Sequence, residues 1–182
     1  MGTINGLPAH ILLVHAVVVL LPLAAVLLVL TAVRPAFRRR FAGPNALLSV
    51  FVVILVPITT SAGEWLEQRV TETALLHTHT ELGDTAIWAA VPVAVLALVI
   101  WWRHREAPAA PSAGGSERTV ATARRTYLAP LSMTVTRIIA VLAVGFAVAA
   151  VYDVYRIGDS GAKATWTGTV SSAATPQGSD GD

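Results

Sequence analysis

Apolar residues in this chain gather into long unbroken runs, without the alternation of a half-buried strand or the single stripe of a surface helix. Four runs stand apart: ILLVHAVVVLLPLAAVLLVLTAV at about 11–33, PNALLSVFVVILVPITTSAG at about 44–63, a third at about 84–102, and LSMTVTRIIAVLAVGFAVAAVYDVY at about 131–155. At roughly 1.5 Å per residue, about twenty helical residues cross the ~30 Å hydrocarbon core of a bilayer. The pattern therefore predicts an all-α fold, a four-helix transmembrane bundle within residues 1–157. The punctuation agrees. Asn5-Gly6 reads as a turn, Pro8 falls near the first helical position, and Pro44 opens the second run. Pro22, Pro57 and Pro92 lie at mid-depth, where neighbouring groups can satisfy the carbonyls they free, and Arg137 is close enough to a run's end to snorkel.

The connections set an orientation. Arg34, Arg38, Arg39 and Arg40 follow the first run with no acid among them, and the third connection begins WWRHR, tryptophans and then basic residues. Between the second and third runs the charges are Glu64, Glu67, Glu72, Glu81 and Asp84 against Arg69 alone. The positive-inside rule then places the basic connections in the cytoplasm, and the acidic connection and both termini outside, in a bacterial cytoplasmic membrane. Within the acidic connection Ser61-Ala62-Gly63-Glu64 fits a capping box. It predicts a short extracytoplasmic amphipathic helix starting there, with Leu66, Val70, Thr73 and His77 on one face. Residues 107–117 read as a flexible cytoplasmic linker and 158–182 as a largely disordered tail, being poor in large apolar groups.

Composition narrows the chemistry. The chain has 182 residues, 54% of them hydrophobic and 13% charged, so a lipid bilayer is its first partner. A net charge of +2 is no nucleic-acid signal when the arginines sit in short loops between apolar runs. The absence of cysteine excludes disulfides, cysteine-ligated iron–sulfur clusters and covalently attached haem. MGTINGLPAH has no positive charge cluster, and the run behind it outlasts a signal peptide's, so it reads as a retained span. No nucleotide loop, hydrolase triad or metalloprotease helix motif is present, which argues against enzymatic activity of the chain on its own.

Histidine is what remains. On the topology above, His10, His15, His77 and His79 fall at the outer side, and only His104, in the basic anchor, does not. His15 lies about two turns inside an apolar run, where a polar ring needs a partner. His10 and His15 are roughly 140° apart around a helix and cannot grip one ion from a single face. Ligands have to come from different helices, and His15 with His79 is the expected cross-helix pair, with His10 and His77 around it. Glu64, or Thr59 and Thr60, are the candidate polar partners for His15.

LPAH with LLVHAVVVLLPLAA, then VPITTSAGEWLE, HTELGDT and VYRIGDSGAKATW, together resemble the actinobacterial-type branch of a family of predicted four-span bacterial membrane proteins, domain-of-unknown-function family 2231. The resemblance runs from about residue 4 to 166. It implies site roles for His10, His15 and His79, and it places Asp159 where relatives carry a histidine in R-I-G-H-S-G. Similar modules occur joined to Rieske-type iron–sulfur domains, which implies a respiratory setting. The resulting expectation is a b-type haem, or a metal ion, held near the outer leaflet by His15 and His79. Such a protein passes electrons between a quinol pool and a redox protein partner. The alternative is a structural or assembly subunit whose imidazoles are satisfied by polar neighbours. A proton relay through His15 and Glu64 is a third reading, without the inverted repeats of transporter folds.

Overall fold

The computed structural model describes residues 3–106 and 133–167. A two-residue hairpin comes first: β1 (Thr3–Ile4) pairs antiparallel with β2 (Leu7–Pro8) across Asn5 (φ 50°) and Gly6 (φ 80°). Two positive φ angles in succession give the turn whose twist suits adjacent strands, and Asn-Gly adopts it at least cost. The hairpin fixes where α1 (Ala9–Val33) begins. Arg34 alone separates α1 from α2 (Pro35–Glu67), and α3 (Ala74–Gly83) precedes α4 (Ala86–Glu106) and α5 (Met133–Trp166).

α1, α2, α5 and the stretch Ala74–Glu106, which joins α3 to α4, are each long and apolar enough to cross a membrane. The long helices pack as an up-down-up-down bundle in the cyclic order α1, α2, α4, α5, while α3 lies against the C-terminal end of α5. Lipid is as apolar as leucine, so burying leucine between helices gains little there, and close van der Waals contact has to hold the bundle. Many buried positions are accordingly small: Ala86, Ala90, Ala94 and Ala97 on α4, beside Val93 and Ile100, and Ala143, Ala147 and Ala150 on α5, before Val154 and Ile157. Large side chains such as Leu47 (72% exposed) and Val141 (71%) face outward.

Three boundaries differ from the sequence expectation. No helix starts at Ser61, because α2 continues through Ser61-Ala62-Gly63-Glu64 to Glu67 with Ala62 buried. A capping box terminates nothing when the preceding turn already supplies helical carbonyls and packing extends the helix. The break falls instead at residues 68–73, and α3 starts where the Thr73 hydroxyl accepts from Leu76 N–H at 3.1 Å. α3 buries no residue, so the amphipathic face expected from Leu66 to His77 does not form as one surface. Thirdly, α5 runs on to Trp166, so residues 158–166, assigned to a tail, are helical. The 107–117 linker and the tail beyond 167 lie outside the described residues.

The packing account makes a prediction. Ala143 is fully buried, and Ala143→Leu overfills its contact, lowering stability by about 1–3 kcal/mol. Val141→Leu on the lipid-facing side leaves it unchanged. Thermal unfolding of both variants in the same detergent checks the contrast.

Candidate functional site

Helical phase decides which histidines face inward. Seven residues turn a helix by about 700°, within ~20° of two full turns, so His10 shares the stripe of buried Val17, Leu21, Ala24 and Leu28. His15 precedes Val17 by two residues and lies about 200° around the axis. It is exposed, with its ring Nδ1 turned to the carbonyl of Ile11 in its own helix at 2.5 Å. The expected His15–His79 pair is therefore replaced by another. His10 and His79 are brought together, with ring centres 6.3 Å apart and ring planes crossing at 78°.

Each of these rings is fixed by a second helix. His10 Nδ1–H donates to the carbonyl oxygen of Thr59 on α2 at 3.0 Å. A carbonyl only accepts, so the proton sits on Nδ1 and a neutral ring keeps its lone pair on Nε2. His79 Nδ1 lies 3.0 Å from Ser160 Oγ on α5, and the single Ser160 hydroxyl proton is already given to the Ile157 carbonyl at 2.8 Å. His79 must then be the donor, and it too presents Nε2 as a free acceptor. The backbone makes room for both rings. A Cβ at Gly63 would stand 3.0 Å from His10 Cε1, and one at Gly161 2.9 Å from His79 Cε1. The four elements α1, α2, α3 and α5 thus converge on two half-buried imidazoles at the acid-rich end of the bundle.

The other expected residues lie elsewhere. His77 is exposed and 3.6 Å from Glu81 on its own helix, at the rim of an open depression of about 420 Å³ formed with Glu67, Glu72, Thr73, Ala74 and Leu76. Glu64 is exposed, and Asp159 accepts from Lys163 at 2.6 Å. An acid at 159 points along the surface of α5; the next residue, Ser160, turns inward to His79. Neither acid supports an imidazole. Among the described residues no group of three or more His, Cys, Asp or Glu side chains could hold a metal ion.

Two participants were passed over in the sequence. Asp153 lies on the inward stripe of α5 with Ile157 and Ser160; its Oδ1 accepts from Thr85 Oγ at 2.8 Å, while its Oδ2 is buried without a partner. An acid near the end of an apolar run was the available signal. Ser160 had none, because a serine beside Gly161 reads as a turn residue.

The glycine contacts give opposite signs for one substitution. Gly145 has open space around its missing Cβ, so Gly145→Ala raises helix stability by up to about 1 kcal/mol. Gly161→Ala displaces the His79 ring and lowers stability by about 1–3 kcal/mol despite the better propensity. Thermal midpoints of the two variants, measured side by side, test this.

No curated protein and no solved structure matches the chain. A family model described as predicted membrane protein (DUF2231) matches residues 6–174, nearly the full length, and the protein belongs to that family.

Proposed function

We propose that this membrane protein is an electron carrier in which His10 and His79 would hold a b-type haem. The observation that carries the reading is that two imidazoles from different helices, with ring centres 6.3 Å apart, each have Nδ1 engaged by a protein oxygen, which leaves the Nε2 of each to hold an iron. Nδ1–H donation to a carbonyl or hydroxyl is also the usual way a ligating histidine is oriented and made more basic.

A bare ion would find two protein ligands at this point, whereas haem brings four nitrogens of its own and asks the protein for two. When bound, the haem would supply one-electron chemistry; the chain supplies two imidazoles oriented by Thr59 and Ser160. The charge distribution supports an external position for the site, within reach of a quinol in the outer leaflet and of a redox protein beyond it.

Expression with a haem precursor and purification of the full chain in mild detergent test the reading. The expected preparation shows a Soret band and sharpened visible bands on reduction. His10→Ala and His79→Ala each abolish them, and His15→Ala leaves them intact. Colourless wild-type protein with full helicity overturns the proposal.

A second reading is favoured by the same hydrogen bonds, which tie α1 to α2 and α3 to α5. The imidazoles then serve as interhelical clasps in a subunit that docks another membrane complex. In that case the protein is colourless, and His10→Ala or His79→Ala lowers stability by about 0.5–1.5 kcal/mol without any spectral change.

A further inference from the structure

The opposite end of the bundle has a charge arrangement that the imidazole site does not use. A Cβ at Gly43 on α2 would stand 3.2 Å from Trp101 Nε1 on α4, which fixes the register of these two antiparallel helices. One turn further toward the helix ends, Arg39 falls opposite Arg105 along the same seam. Both are exposed, and Arg40 beside them is exposed as well.

Their neighbours are already committed. Arg38 donates to the carbonyls of Thr31 at 2.9 Å and Ala32 at 2.8 Å, closing the C-terminus of α1, and Arg103 donates to Thr136 Oγ at 3.0 Å. Glu106, the acid of this seam, accepts from Trp102 Nε1 at 2.6 Å. Among the described residues the ion pairs are His77–Glu81 and Lys163–Asp159, and neither involves these arginines. Arg39 and Arg105 thus fall one turn beyond the Gly43–Trp101 contact, both exposed, and neither forms an ion pair among the described residues.

We propose that Arg39, Arg40 and Arg105 form a binding site for the phosphate of an anionic lipid headgroup at the α2–α4 seam. The aromatic residues give the depth. Phe37 stacks near Phe41 with ring centres 5.8 Å apart, and Trp101 and Trp102 lie across the seam, a grouping that marks the headgroup boundary. The Arg105 guanidinium sits 5.2 Å over the Trp101 ring, and that of Arg40 5.9 Å from the Phe41 ring. Stacking holds each head by one face and leaves its edge N–H groups for a phosphate, which guanidinium recognises in bidentate fashion. An ion dissolved in water would not need the aromatic shelf. A lipid does, because its chains lie on the exposed apolar flank formed by Leu47, Phe51 and Leu98 below the arginines.

The full chain in neutral detergent is titrated with phosphatidylglycerol, with phosphatidylcholine and with inorganic phosphate, reading bound lipid by native mass spectrometry and the thermal midpoint in parallel. Phosphatidylglycerol is expected to bind at least about tenfold more tightly than phosphatidylcholine, and to raise the midpoint where inorganic phosphate at equal concentration does not. The double variant Arg39→Gln/Arg105→Gln loses at least about tenfold in phosphatidylglycerol affinity. Arg39→Lys/Arg105→Lys, which keeps the charge, loses less, and Arg69→Gln at the far end changes nothing. Equal affinity for the two lipids, an unchanged affinity in the glutamine variant, or a full midpoint shift with inorganic phosphate alone overturns the proposal.

Discussion

Hydrocarbon offers no hydrogen-bond partner, so every polar atom that enters this bundle has to be answered by another helix or by its own backbone. The inward threonines bond back to the preceding turn: Thr31 to the Leu27 carbonyl at 2.8 Å, Thr59 to that of Leu55 at 2.8 Å. Asn45, almost fully buried, reaches across from α2 to one rung of α1, its side-chain amide 3.2 Å from both the Ala24 carbonyl and the Leu28 N–H, and the amide assignment that satisfies both has its nitrogen donating to the first and its oxygen accepting from the second. Arg38 does the same at the end of α1. The imidazoles of His10 and His79 extend this rule to the other end, where each ring borrows an oxygen from a neighbouring helix. Ser49 Oγ and Asp153 Oδ2 are the two buried side-chain atoms left unanswered among the described residues. Of these Asp153 matters more, since it shares the α5 stripe that ends at the imidazoles.

That rule operates only because the helices lie close together, and closeness comes from alanine and glycine. Ala24, Ala25, Ala143 and Ala150 are fully buried, where larger side chains would push the axes apart and lengthen every interhelical hydrogen bond. Gly63 and Gly161 carry the same logic into the site, each standing where a methyl group would collide with an imidazole. The site is thus an outcome of the packing code and not an addition to it.

Hydropathy alone revealed the four long helices, because a run of some twenty apolar residues is too long for a strand and too uniformly apolar for a helix at a water-facing surface. The ends were harder to read. Capping signals such as Ser61-x-x-Glu64 report local preference, and packing around Ala62 outweighed them. The histidine pairing was misread for a related reason. A helix apolar all round shows no hydrophobic stripe, so the sequence does not say which side of α1 meets protein and which meets lipid. The positions of Ala9, Ala24, Ala25 and Ala32 mark the inward side through residue size, and with that stripe drawn His10 falls on it and His15 does not. Asp153 was legible as an acid in an apolar run, whereas Ser160 became meaningful only when α5 was seen to continue past residue 158.

The two imidazoles are held by supports of unequal strength. His10 rides on a helix with a buried stripe along its length, but His79 belongs to α3, which has no fully buried residue and is joined to α2 by the non-helical segment 68–73. α3 adds one partly buried apolar side chain to the core, Leu82, so its opening away from α5 exposes less apolar surface than the separation of two long helices and costs less than global unfolding. The amides of α3 should then exchange with solvent deuterium long before those of α4. Of the two rings, His79 is therefore the one whose support gives way first, while His10 keeps its place in the bundle.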